Sequence, residues 1–211
     1  ENGMRGYITT QPIKTLKGFL QEWCMADDGW FLEGDRNGKK YKLSELDDEK
    51  DRDKIFYRSR WIKEKSLVHT DNGDRKQIME QKLIVSYSIK YRDFQRQVRE
   101  GQIERAMKMV EKGSAAVEKK RQNDPRRFIK TDHITQDGEI AEIATNCLDR
   151  SAVEYEAKYD GFYAVCTNLD DSIGSIVKAN KRRWEIEECF RIMKTDFEAR
   201  PVYLNRKDRI L

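Results

Sequence analysis

The sequence predicts a mixed α/β fold of the α+β kind, with a β-rich middle and a long C-terminal helix. Three stretches predict it. Lys82–Tyr91 (KLIVSYSIKY) is rich in β-branched and aromatic residues and alternates as a half-buried strand does. Gly161–Leu169 (GFYAVCTNL) is an almost continuous apolar run, the pattern of a strand covered on both faces. Asp171–Arg200 reads as one helix, capped by Asp170–Ser172 and stopped by Pro201.

The other elements follow in order. Gly6–Gln11 has strand-forming residues and ends at Pro12, which cannot donate to a ladder. Lys14–Ala26 spaces Leu16, Phe19, Leu20, Trp23 and Cys24 helically. Asp28-Gly29 marks a turn before a short strand at Trp30–Leu32. Arg36-Asn37-Gly38 marks a hairpin turn, with Tyr41–Leu46 as the return strand. Asp47–Asp53 is a charged loop or helix start, and Lys54–Ile62 mixes aromatics and arginines in a β-like pattern. Lys63–Gln81 is polar, with a turn at Asn72-Gly73. Arg92–Lys112 spaces Phe94, Val98, Ile103, Met107 and Val110 as an amphipathic helix ended by Gly113. A polar linker or helix extension follows to Pro125. Arg126–Thr167 favours β structure, with turns at Asp137-Gly138 and Asp160-Gly161.

Composition narrows the function. Of 211 residues, 38% are charged and 37% hydrophobic, so the core is lean and the surface heavily solvated. No apolar run is long enough to span a bilayer, and no leader-like segment opens the chain; a cytoplasmic protein without a membrane partner is expected. The four cysteines (24, 147, 166, 189) lack metal-ligand spacing, and with two histidines both a zinc site and a histidine-based hydrolase are poorly supported. Reduced thiols are expected. The net charge of +4 hides a segregation. Ile89–Lys130 holds 13 Lys/Arg against 6 Asp/Glu, and Thr131–Ser172 holds 2 against 10. Lys178–Lys207 holds 9 against 5. Basic stretches of this kind are the footprint of nucleic-acid binding, although long solvated helices carry them too.

The C-terminal helix holds the most informative constellation. At about 100° per residue, Arg183, Glu187 and Lys194 fall in one sector, and Asn180 extends the stripe one turn earlier. Phe190 shares the sector, which a purely solvated face would not favour. A carboxylate so placed can hold a divalent metal beside a phosphodiester held by the basic groups. The plain alternative is an i, i+4 ion pair on a surface helix.

This segment resembles the C-terminal signature of bacterial insertion-sequence transposases of the DDE class: tyrosine, two residues, arginine, three residues, glutamate, six residues, lysine. Arg183, Glu187 and Lys194 match at those intervals, and Asn180 stands in the tyrosine position. Flanking matches are Trp184, Ile186, Phe190, Met193 and Arg200-Pro201-Val202-Tyr203. Tyr159-Asp160-Gly161-Phe162 with Thr167-Asn168 is similar to the strand that precedes the helix there, and Ser86–Ala106 to a tyrosine- and arginine-rich helix start.

The resemblance implies a partial RNase H-like core. Residues 1–13 would hold its last core strand, 14–156 a β-rich insertion with a basic helix at about 92–112, and 157–211 a core strand and the glutamate helix. It implies Glu187 as catalytic and metal-binding, with Arg183, Lys194, Asn180 and Arg182 on DNA. Two Mg²⁺ (or Mn²⁺) ions would serve the intact enzyme, with transposon ends and target DNA as partners, a possible homodimer, and no small-molecule substrate. The setting would be bacterial cytoplasm, at the nucleoid. Both family aspartates are expected upstream of Gly6, and Asp160 reads as a turn former with Gly161. The chain is thus expected to be a fragment inactive alone. A non-catalytic basic nucleic-acid-binding module and a charged structural or interaction protein are the competing readings.

Overall fold

A computed structural model describes residues 6–35, 37–70, 73–112, 123–134 and 143–195. The expected signals at Gly113, Asp137-Gly138 and Pro201 lie outside these residues. The fold is mixed α/β, and its larger sheet is built entirely from antiparallel pairs.

Strand β1 (Ile8–Thr10) ends before Pro12, as its sequence requires. A single 3-10 turn over Ile13–Thr15 leads into helix α1 (Gly18–Met25). Strands β2 (Trp30–Leu32) and β3 (Lys40–Tyr41) form a short hairpin. The expected return strand to Leu46 is shorter, because Leu43–Glu45 coils into a 3-10 turn. There Asp27 accepts hydrogen bonds from the Ser44 amide and hydroxyl, both 2.7 Å.

Strands β4 (Phe56–Thr70) and β5 (Gly73–Tyr87) pair along their whole length, Phe56 opposite Tyr87 and Thr70 opposite Gly73. The polar Lys63–Gln81 segment is therefore mostly strand. Beyond Trp61 and Lys82 the hairpin has no third strand beside it among the described residues. Ile62 and Gln81 are the last buried pair of the hairpin among the described residues, so no apolar alternation marks the strands beyond them in sequence.

Helix α2 starts at Ile89, three residues before the expected Arg92, and runs to Glu111. The Ser88 hydroxyl caps it by accepting from the Tyr91 amide. Its expected apolar face is only partly buried. Ile89 and Ala106 are enclosed, and Ile103 and Val110 pack at the margin, but Phe94, Val98 and Met107 are exposed. Buried Ile89 and the ion pairs of Arg92 and Arg99 hold its first half.

Strands β6 (Ile129–Ile134) and β7 (Ile143–Leu148) form a separate hairpin, followed by helix α3 (Arg150–Ala157). The Arg126–Thr167 stretch is thus less uniformly β than expected. Asp149 caps α3 on the Ala152 amide, a signal visible in sequence. Phe128 and Ile129 are buried with Ala106, docking this hairpin on the second half of α2.

Strand β8 (Phe162–Thr167) is central, between β1 and β5, which explains its continuous apolar run. The order is β1-β8-β5-β4-β2-β3. The sheet thus joins strands from all three expected segments, 1–13, 14–156 and 157–211. One face carries Phe56, Leu83, Val85, Ala164 and Cys166 against α1 and Trp30. The other carries Tyr57, Ile84 and Val165 against Ile176, in helix α4 (Ile173–Lys181).

The expected single helix over 171–200 is instead two. After α4 the chain turns at Arg182, and helix α5 spans Arg183–Thr195. No glycine or proline marks the break. Ile176 is buried against the sheet, whereas Ile186, Phe190 and Met193 are exposed, so the apolar side of α5 is not seated on the surface that seats α4.

Candidate nucleic-acid interface

The Ser172 hydroxyl caps α4 by accepting from the Ser175 amide, and Ile173, Ile176 and Val177 seat it on the sheet. Its far end is tied down by a side chain. The Asn180 amide nitrogen donates to the Tyr163 hydroxyl at 3.3 Å, and that hydroxyl also meets Thr10 Oγ1 at 3.0 Å. Asn180 thus faces the sheet and does not extend the exposed stripe of α5.

On α5, Arg183 Nε donates to Glu187 Oε1 at 3.1 Å, one turn apart, with 61% and 66% of the two side chains exposed. Lys194 is exposed further along the helix. Arg182 is spent on Glu185 at 3.2 Å, and Arg191 on Glu188. The Arg191 guanidinium holds the Glu188 carboxyl below its usual range. Ile186, Phe190 and Met193 form an exposed apolar stripe beside these charges. Phe190 is therefore not covered among the described residues.

The donor set does not fit two metal ions. Among the described residues no group of three or more His, Cys, Asp or Glu side chains gathers as a metal site would. Glu187 offers one carboxylate, already paired with a guanidinium. A two-ion site needs several carboxylates around it.

Asp160 has a different role from the one its turn suggests. Gly161 does make the turn, at φ +84°. The Asp160 carboxylate is buried and takes both arms of the Arg99 guanidinium, one at 2.6 Å, with Arg96 at 3.7 Å. The Gly161 amide donates to Gln95 at 2.8 Å. Arg92 is held by Asp48 through two bonds of 3.0 Å, and by Asp93. Arg127 lies between Glu156 and Gln102. The most enclosed cations of the basic stretch are therefore committed to carboxylates. They lock α2 to its surroundings instead of offering charge outward.

A cleft of about 480 Å³ opens where α2 meets the sheet, lined by Tyr91, Phe94, Tyr163, Ile55 and Lys90. The rings of Tyr91 and Phe94 lie within 19° of parallel, and Tyr163 meets Tyr91 edge-on. Because Asn180 bonds Tyr163, the end of α4, three residues before Arg183, is anchored at a wall of this cleft. Sequence reasoning missed the cleft. Tyr163 was legible as a strand residue, but only the β5–β8 pairing, Ser86 opposite Tyr163, brings it to the start of α2.

No known protein family, curated protein or solved structure matches the chain. Among the described residues no helix is long and apolar enough to cross a membrane.

Proposed function

We propose that this chain is the C-terminal, DNA-positioning part of a DDE-class DNA transposase, with β1, β8 and the α4–α5 pair as part of an RNase H-like core. The observation that carries the reading is the exposed Arg183–Glu187 pair on α5, with Lys194 seven residues beyond Glu187. This places an acid and two cations on a rigid helix at the signature's intervals. Arg183 and Lys194 would hold backbone phosphates of a transposon end, with Arg182 and Asn180 at the entry to the helix. Exchange of the Glu187 carboxylate for a phosphate would free the Arg183 guanidinium to make two parallel bonds. Glu187 is the chain's contribution to catalysis. The remaining carboxylates, the Mg²⁺ or Mn²⁺ ions and a second copy would belong to the intact enzyme, in a bacterial cytoplasm. The chain alone is then a DNA binder without strand-cleaving activity.

The competing reading, a non-catalytic basic module acting through α2, has less support, because Arg92 and Arg99 are neutralised by Asp48 and Asp160. Duplex binding by fluorescence anisotropy separates the two. Arg183→Gln and Lys194→Gln should each weaken binding about tenfold and flatten its salt dependence. Binding unaffected by either variant would exclude the α5 reading. Robust cleavage by the isolated chain with Mg²⁺ or Mn²⁺, abolished by Glu187→Gln, would show that the missing carboxylates are present after all.

A further inference from the structure

Tyr91, Phe94 and Tyr163 wall two cavities among the described residues. The first, of about 410 Å³, is lined by charges that already match one another. Asp160 takes Arg99, and Glu156 takes Arg127 and, at 3.9 Å, Lys14. The second is the aromatic cleft of about 480 Å³. Its size falls in the usual range of small-molecule sites, roughly 300–1,000 Å³.

The cleft suits a flat apolar body. Tyr91 and Phe94 stand one turn apart on α2, with ring planes 19° apart and centroids 6.4 Å apart, so they lie side by side as a platform. Tyr163 stands at 90° to Tyr91 and closes one end. Ile55 adds apolar surface, and Gly161 brings no side chain to fill the space. The two serines at the cleft are turned to the backbone: Ser86 donates to the Tyr163 carbonyl at 3.2 Å, and Ser88 accepts from the Tyr91 amide. Phe94 is left 58% exposed. A ring laid against this platform would leave water and meet other rings in the offset and edge-on arrangements that aromatic pairs prefer.

The polar groups at the cleft favour an anion. Lys90 is part of its lining, and the counter-charge of Lys90 is Asp53, 3.4 Å away. Their side chains are 72% and 84% exposed, so the pair is weak and open to exchange. The Tyr91 hydroxyl makes no hydrogen bond among the described residues. Burial, with Tyr163 adding to it, pushes that hydroxyl above its ordinary range, so at neutral pH it stays a donor. The Tyr163 hydroxyl is already committed to Thr10 and Asn180. A cationic ligand would meet Lys90 as a like charge, and a neutral one would leave Lys90 to Asp53.

We propose that the cleft between the start of α2 and the sheet binds a small aromatic acid, with its ring on Tyr91 and Phe94 and its carboxylate on Lys90. The site needs no DNA and stands apart from Arg183 and Lys194.

The test titrates 2-naphthoate into the chain, followed by ligand-observed NMR. A ligand of this size should bind with a Kd of about 1 mM or tighter. Phe94→Ala should weaken binding about tenfold, since it removes half the platform. Lys90→Gln should weaken it about threefold, and Asp53→Asn, which removes the competing carboxylate, should tighten it about threefold. All three side chains are exposed, so each variant should keep the parent circular dichroism spectrum. The neutral alcohol 2-naphthalenemethanol should bind the parent chain and Lys90→Gln equally. Phe19→Ala, which removes an exposed ring from α1, should change nothing. No saturable binding, or equal losses in Phe94→Ala and Phe19→Ala, would overturn the site. Weakening by Phe94→Ala with no effect of Lys90→Gln or Asp53→Asn would overturn the acid as its occupant.

Discussion

The Asn180 side chain reaches across from the end of α4 to the hydroxyl of Tyr163 on β8. This one hydrogen bond joins the signature helix region to the aromatic cleft. It also explains how a polar residue can end a helix that is otherwise seated by Ile173, Ile176 and Val177. Asn180→Ala should cost about 0.5–1.5 kcal/mol, the usual net worth of such a bond. Tyr163→Phe removes the same acceptor. In urea unfolding the double variant should therefore lose less than the sum of the two single losses. Strict additivity would mean that the bond contributes nothing.

Two glycines of nearly equal backbone conformation separate strain from collision. Gly34 and Gly161 have φ of +82° and +84°. A Cβ at Gly34 would meet nothing, whereas at Gly161 it would stand 2.6 Å from the Tyr87 ring and 3.1 Å from the Ser88 carbonyl oxygen. Gly34→Ala should cost only the left-handed penalty, about 1–2 kcal/mol. Gly161→Ala should cost that and more, because the Ser88 backbone cannot step aside. It should also lower the melting temperature further than Gly34→Ala does. Equal losses would show that the turn before β8 yields freely.

How much of this was legible beforehand depended on whether a residue's fate was local. The strand at 162–167 was legible because both its faces are buried, and α1 because Leu20 and Cys24 sit one turn apart on its buried side, although Leu16, grouped with them, is extended ahead of the helix. The outer part of the β4–β5 hairpin, residues 63–80, was not, since it has no third strand beside it among the described residues and needs no alternation. The α4–α5 break at Arg182 was not legible, since no glycine or proline marks it. At the site, the spacing of Arg183 and Glu187 gave their pairing correctly, because i, i+4 neighbours meet on any helix. Asn180 was misplaced because its partner lies 17 residues away on a strand. The Asp160–Arg99 bond was invisible for the same reason, its partners standing 61 positions apart.

The thiols should sort by burial. Burial pushes the Cys24 thiol up to about 11 and the Cys166 thiol up to about 12, from an ordinary value of 9.0. Cys189 is exposed. A thiol-exchange reagent at pH 8 should label Cys189 first, with Cys24 and Cys166 reacting only after unfolding. The sign with pH follows from linkage. Raised thiol values mean that the unfolded chain loses these protons first. The stabilisation is therefore complete below about pH 9 and is lost as pH climbs toward 11–12. Chemical denaturation midpoints should fall over that range, and less steeply in Cys166→Ala. Midpoints that stayed level from pH 9 to 11 would contradict the burial of these groups.

Glu187 offers the sharpest separation of stability from function. Its partner Arg183 is one turn away, and both side chains are mostly in solvent. Such a pair is worth little, because water screens it and two long side chains must be held still. Glu187→Gln should therefore change the unfolding free energy by no more than about 0.5 kcal/mol. The same substitution should strengthen duplex binding severalfold, since it removes a negative charge that competes with phosphate for Arg183. A carboxylate beside phosphate-binding cations lowers affinity for a polyanion, and its removal exposes that cost. Anisotropy at two salt concentrations reads the effect directly. Weaker binding by Glu187→Gln would mean that the acid organises Arg183 for DNA instead of opposing it, and the catalytic assignment would lose its physical basis.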